Sequence, residues 1–196
     1  MFHTLNINRA LLASLLLCTL GTTPLATATP SPPNHISTPI NERTAQEIIT
    51  KLNLIPNIER GYFTETFRDS YNVTSATTIA SNHSRSASTA IYYLLEGSEG
   101  YSRWHRVDAA EVWHYYAGAP MTLELWDESK EGKEGVRGVK LGPDLFAGER
   151  PQVVVGRGEW QRGRSWGGWT LVGTTVAPGF EVAGSEIADD GWELPV

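Results

Sequence analysis

The stretch Gly100–Gly118, GYSRWHRVDAAEVWHYYAG, decides the reading of the chain. Two short β-prone runs, Ser102–Val107 and Val112–Ala117, flank Asp108-Ala109-Ala110, which reads as a turn. His105 and Glu111 stand six residues apart across that turn. A hairpin can bring such an imidazole and carboxylate onto one face. The pair can bind a divalent metal or act as an acid/base couple. His105 and His114 are the two histidines set in apolar and aromatic sequence, among Trp104, Trp113, Tyr115 and Tyr116. On the plainer reading both imidazoles are satisfied core groups under an aromatic lid. Alternation also predicts that if Glu111 faces inward, Trp113 and Tyr115 do too, and His114 faces outward unless a bulge intervenes.

Outward from this hairpin the pattern repeats. Tyr62–Arg68, Ser88–Leu95, Met121–Trp126, Val136–Leu141, Gln152–Val155, Trp160–Ser165 and Trp169–Val176 are short β-prone runs divided by turn residues, with a further piece near Phe180. Residues 69–84 read as a polar loop and Asp127–Gly135 as a solvated tip. One helix is predicted over residues 44–53, TAQEIITKLN. Thr44 and Glu47 have capping-box spacing, Ala45, Ile48, Ile49 and Leu52 share a side, and Asn53 and Pro56 end it. No βαβ alternation appears. The expected class is all-β, a jelly-roll barrel with a short N-terminal helix packed outside. Such a barrel lets inward side chains from several strands converge on a ligand.

Composition excludes some partners. Net charge is −6 and no basic cluster exists, which argues against nucleic acid and anionic membrane. Residues 1–28 read as a secretory signal: a short start ending at Arg9, an apolar run Ala10–Leu20, and Ala26-Thr27-Ala28 as the cleavage pattern. Cleavage after Ala28 and secretion are expected, with no membrane contact afterwards. Residues 29–43 read as a disordered linker, 44–190 as the folded domain and 191–196 as a tail. Asn72-Val73-Thr74 and Asn82-His83-Ser84 are glycosylation sequons. The single cysteine, Cys18, falls in the signal, so the mature chain has no thiol nucleophile and no disulfide.

Several strings together resemble the RmlC-like cupins, and within them a small single-domain family of uncharacterised proteins. The first cupin motif is matched by Gly100, His105, Glu111 and Gly118, with Val107 at the second histidine place. Gly156-Arg157-Gly158-Glu159-Trp160-Gln161 resembles the second motif, with Gln161 at the histidine place. Gly61-Tyr62-Phe63, Glu65-Thr66, Thr89–Leu95, Trp104–Val107, Glu111–Gly118 and Val176–Glu181 carry the subfamily likeness. The chain departs from it at Arg60, Ala110 and Gly156, where the family has glycine, an acidic residue and proline.

The resemblance implies a cupin barrel, paired into a homodimer through sheet contacts. One of Trp160, Trp166 and Trp169 is expected at that interface. Metal-dependent cupins use three histidines and a glutamate. This chain keeps only His105 and Glu111 of that set, so no cofactor is expected, and a divalent metal at His105, Glu111 and Gln161 is the lesser reading. Cupins of the epimerase kind imply proton transfer instead. His105 would be the base, with Glu111 or Glu65 orienting it. The acid would come from Tyr92, Tyr115 or Tyr116, with Tyr116 taken as catalytic alongside His105 and Glu111. Arg85 and Arg106 would neutralise a carboxylate or enolate. Glu65, Arg85, Tyr92, His114, Gln152 and Gln161 are the expected substrate-binding residues. The implied activity is a metal-independent isomerase, epimerase or cyclase acting on a small oxygenated molecule, sugar-like or polyketide-like. The alternatives are a non-catalytic binding cupin and a metal-dependent oxygenase with altered ligands.

Overall fold

The computed structural model describes residues 38–75, 83–130 and 135–194. The expected signal segment, linker residues 29–37, Cys18 and Asn82 lie outside the described residues. Helix α1 (Ala45–Leu52) begins at Thr44, whose hydroxyl accepts from the Glu47 amide while the Glu47 carboxylate accepts from the Thr44 amide. This is the capping box that the spacing predicts. Asn53 ends the helix in the left-handed region at φ 53°.

The strands are β1 (Ile55–Pro56), β2 (Tyr62–Arg68), β3 (Asn72–Ser75), β4 (His83–Ser86), β5 (Thr89–Glu96), β6 (His105–Val107), β7 (Ala110–Gly118), β8 (Met121–Trp126), β9 (Val136–Leu141), β10 (Gln152–Val155), β11 (Trp160–Ser165), β12 (Trp169–Ala177) and β13 (Ser185–Ile187). They form a six-stranded sheet in the order β1-β2-β5-β12-β7-β10 and a five-stranded sheet in the order β13-β6-β11-β8-β9. Strands β3 and β4 make a small separate hairpin. The expected loop over residues 69–84 is therefore corrected. Asn72 to Ser75 pair with Ser86 to His83, and the β-branched Val73 and Thr74 favour that extended backbone.

Inward side chains of both sheets form one core. Tyr93, Leu95, Trp113, Val153, Val155 and Val172 come from the six-stranded sheet, and Met121, Leu123, Leu125 and Leu141 from the other. Burying each Leu or Met stabilises the fold by roughly 1.5–3 kcal/mol relative to exposure. The chain is thus an antiparallel jelly-roll barrel of the cupin type. Helix α1 lies outside it, with Ala45, Ile48 and Ile49 against Leu94, Ala117, Trp169 and Leu171. On the outer face of the five-stranded sheet Trp104, Trp126 and Trp160 are covered by Trp192 and Leu194. Trp192 and Leu194, within the stretch read as a tail, are therefore part of the packing.

One irregularity bears on the site. The pairing of β7 with β12 shifts between Leu171 and Val172, which leaves Tyr116 as the extra residue of a bulge. The bulge comes after His114, so alternation holds from Glu111 to Tyr115. Glu111, Trp113 and Tyr115 face the interior and His114 faces out, as alternation predicts.

Candidate functional site

Pairing places the two principal groups. His105 opens β6 opposite Gln161 of β11. Glu111, near the start of β7, lies between Val155 of β10 and Val176 of β12. His105 is 5% exposed, Glu111 6% and Gln161 0%. Imidazole and carboxylate are both buried in the interior, where His105 acts on Glu111 through its charge, and the carboxylate that faces the ring directly is Glu59.

The polar groups are tied in sequence. Trp113 Nε1 donates to Gln161 Oε1 at 2.8 Å. An indole N–H can only donate, so it fixes which end of the amide is oxygen. Gln161 Nε2 then donates to Glu111 Oε2 at 2.5 Å. Burial pushes the Glu111 carboxyl above its usual range, and Glu59 adds to the rise. His105 and the hydrogen bonds of Gln161 and Thr174 oppose it. On the imidazole, Nδ1 lies 3.0 Å from the Arg103 carbonyl oxygen. A carbonyl only accepts, so Nδ1 carries the hydrogen and Nε2 is the atom left for proton exchange. Nε2 lies 3.5 Å from Glu59 Oε2.

Glu59, the carboxylate facing His105 Nε2, is a site group that the sequence does not reveal. It sits in the tight loop Asn57–Gly61, where Arg60 and Gly61 take φ of 77° and 69°. The Asn57 side chain accepts from the Glu59 amide at 3.2 Å, and the Arg103 amide donates to the Glu59 carbonyl at 3.0 Å. That last bond joins the loop to the segment leading into His105. Tyr93 is a second omission. Its hydroxyl donates to the Arg60 carbonyl at 3.0 Å, and burial, with Glu59 adding, holds it in the protonated form.

Other expected site residues lie elsewhere. Tyr116, 50% exposed, is on the outer face against Tyr92, ring centroids 5.8 Å apart. The bulge turns it toward α1, so the assignment of Tyr116 as catalytic acid is corrected. Tyr92 shares that outer face, beside Leu171 and α1. His114 and Gln152 are also outward, their side chains 3.2 Å apart. The substrate-binding roles expected for Tyr92, His114 and Gln152 are corrected on the same ground: the sheet stands between them and His105. Glu65 is exposed and gripped by Arg68 at 2.8 Å and 3.0 Å, so its role in orienting His105 is corrected too. Arg106 points outward, stacks on Trp160 and pairs with Glu128 and Glu186. Arg85 is buried and pairs with Asp108 at 2.7 Å in the turn between β6 and β7. Asn72 is exposed on β3.

The fold family implies a metal at this place, and the donor set tests it. Val107 has no ligating atom. Gln161 has its oxygen engaged by Trp113 and turns an N–H toward Glu111, where a ligand has to offer a lone pair. Among the described residues no group of three His, Cys, Asp or Glu converges to hold an ion. The residues present do not fit a divalent metal.

Comparison with known proteins agrees with this architecture. The family described as Cupin superfamily (DUF985) matches residues 46–188. A hypothetical protein from Leishmania major superposes with a TM-score of 0.65 at 30% identity, over 74% of this chain and 86% of that one. A Shewanella oneidensis protein of known structure gives 0.64 at 31% identity, over 74% and 85%. No curated protein matches the chain. With a jelly-roll barrel, two cupin-type motif strands and a family match spanning its folded part, the chain belongs to the cupin superfamily, in the DUF985 family.

Proposed function

We propose that this cupin is a metal-independent isomerase, epimerase or cyclase that moves a proton at a carbon next to a carbonyl of a small oxygenated molecule. The observation that carries the reading is the setting of His105: Nδ1–H held on the Arg103 carbonyl, Nε2 facing Glu59, and Glu111 buried in the same interior. In this reading Nε2 removes the substrate proton. Glu59, its side chain 20% exposed, passes that proton to or from solvent. Glu111, buried and fixed by Gln161, steadies the imidazolium formed in the step.

The test uses a panel of aldoses, ketoses and hydroxyketones incubated with the protein in D2O and followed by proton NMR. Loss of a C–H signal adjacent to a carbonyl is expected. His105→Ala should slow it by about a hundredfold or more, and Glu59→Gln should slow it less. Exchange unchanged in His105→Ala defeats the proposal. A second reading, a binding cupin without turnover, is favoured by the near-complete burial of His105 and Glu111. It predicts that panel members bind and none exchanges.

Secretion after cleavage at Ala28, glycosylation at Asn72 and Asn82, and a homodimer belong to the same proposal. Of the tryptophans considered for the interface, Trp160 and Trp169 are buried within the subunit, which leaves the exposed Trp166. N-terminal sequencing of the secreted protein and light scattering check these points.

A further inference from the structure

Three arginines of this protein grip carboxylates in one manner. Arg68 grips Glu65 with Nε and Nη2 and reaches Glu181 with Nη1. Arg106 turns Nε and Nη2 to Glu186 and Nη1 to Glu128. Arg137 holds both oxygens of Glu159 with Nε and Nη2, at 3.1 Å and 3.0 Å. The Nε–Nη2 edge is the fork whose two parallel N–H groups match a carboxylate. Arg68 and Arg106 also place a second carboxylate on the remaining nitrogen.

Arg85 differs from these three, and unlike Arg103 and Arg164, where only Nε is orphaned, it leaves two donors unmade. It is 7% exposed, the most buried of these four guanidiniums, and its Nη1 donates to Asp108 at 2.7 Å. Its Nε and Nη2 are both buried and have no hydrogen-bond partner among the described residues. Two orphaned donors on one buried cation are costly, and native structures seldom leave such groups unmade. The edge left over is the carboxylate-binding one. Its location is also pointed. Asp108, the group that anchors Arg85, lies in the turn joining the His105 strand to the Glu111 strand.

We infer that the Nε–Nη2 edge of Arg85 is the anchor for a carboxylate on the small molecule this protein binds. The inference rests on the reading that the barrel takes a small oxygenated molecule, and it adds the substrate class: a hydroxy acid, keto acid or sugar acid. Asp108 fixes the guanidinium from one side and leaves its fork to the ligand. Arg85 is here a binding group, and no proton passes through it.

The experiment follows the arginine Nε–Hε resonances of the 15N-labelled full chain during titration with malate, glucuronate and acetate. Inorganic phosphate forms a separate arm, and sodium chloride keeps ionic strength constant. Calorimetry on the same samples gives affinities. A saturable shift of the Arg85 resonance with malate or glucuronate is expected. Arg85→Lys keeps the charge but loses the fork, and should weaken binding about tenfold or more. Arg137→Lys, with its partner Glu159 in the same chain, should leave affinity unchanged. If Arg85→Lys does not fold, the wild-type Arg85 resonance still decides. The inference is overturned by no saturable carboxylate binding, by equal affinity in Arg85→Lys, or by saturation with phosphate alone. Binding is read without turnover, so the same titration on His105→Ala separates the two proposals. Carboxylate binding that persists there, in a protein whose wild type exchanges no C–H, strikes the proton-transfer reading and spares this one.

Discussion

Gln161 fills a histidine place of the second cupin motif and does work no histidine there would do. Its oxygen takes the Trp113 indole proton and its amino group reaches Glu111, so two buried polar groups depend on one amide. Gln161→Leu strands both, and should lower unfolding free energy by about 3 kcal/mol in urea titrations. Equal stability of that variant would remove the network from the account. Glu111 itself gives a signed pH test. A carboxyl whose pKa is raised by folding binds its proton more tightly in the folded chain. Its contribution is therefore full below the ordinary value of 4.5 and is lost as pH rises through the raised one. The stability of the wild type relative to Glu111→Gln should be greatest below pH 4.5 and decline as pH climbs. Denaturation of both proteins across that range, showing the opposite slope, would contradict the burial argument. At this scale the sequence was informative about identity and less so about direction. That Glu111, Trp113 and Tyr115 share the inner face and His114 the outer one followed from strand alternation. The outward turn of Tyr116 did not, because a bulge is a backbone register event without a residue signature here.

Single elements set the positions that these residues exploit. The loop Asn57–Gly61 carries Glu59, and Gly61 holds it at φ 69° with its absent Cβ only 2.4 Å from where the Leu94 carbonyl oxygen lies. Gly61→Ala therefore meets both a left-handed backbone and a collision, and should cost about 2 kcal/mol or more, read by thermal melting. It should also disturb proton exchange, since it displaces the loop that carries Glu59. Strand edges such as Tyr62–Arg68 and Met121–Trp126 were legible because the β-prone runs end at Gly, Pro or Asp. Helix α1 was legible through its capping box, and Thr44→Ala should cost about 1 kcal/mol in denaturant titration. Glu59 was not legible. Its approach to His105 is a contact between residues 46 apart in sequence, made through a backbone bond to Arg103, and no periodicity encodes such a return.

Over the whole molecule, two sheets close around a core while each outer face is covered differently. The six-stranded sheet uses α1, and the five-stranded sheet uses the C-terminal segment, where Trp192 meets Trp104, Trp126 and Trp160 with ring centroids 6.5, 6.1 and 5.1 Å away. Polar, glycine-containing sequence near a chain end resembles a loose tail, and only the tertiary fold shows the aromatic trough that receives it. Trp192→Ala should reduce stability by about 3 kcal/mol and expose indoles to a fluorescence quencher. No change in either reading would mean the segment does not cover the sheet. Both coverings leave groups such as Tyr116 and Trp166 exposed, and the proposed chemistry turns on one interior ring, that of His105. Long-range nitrogen–proton NMR of 15N-histidine protein reads that ring directly. His105 is predicted to keep its hydrogen on Nδ1, and Glu59→Gln to move the Nε2 signal alone. A hydrogen fixed on Nε2, or an Nε2 signal indifferent to Glu59, would contradict the proposed chemistry.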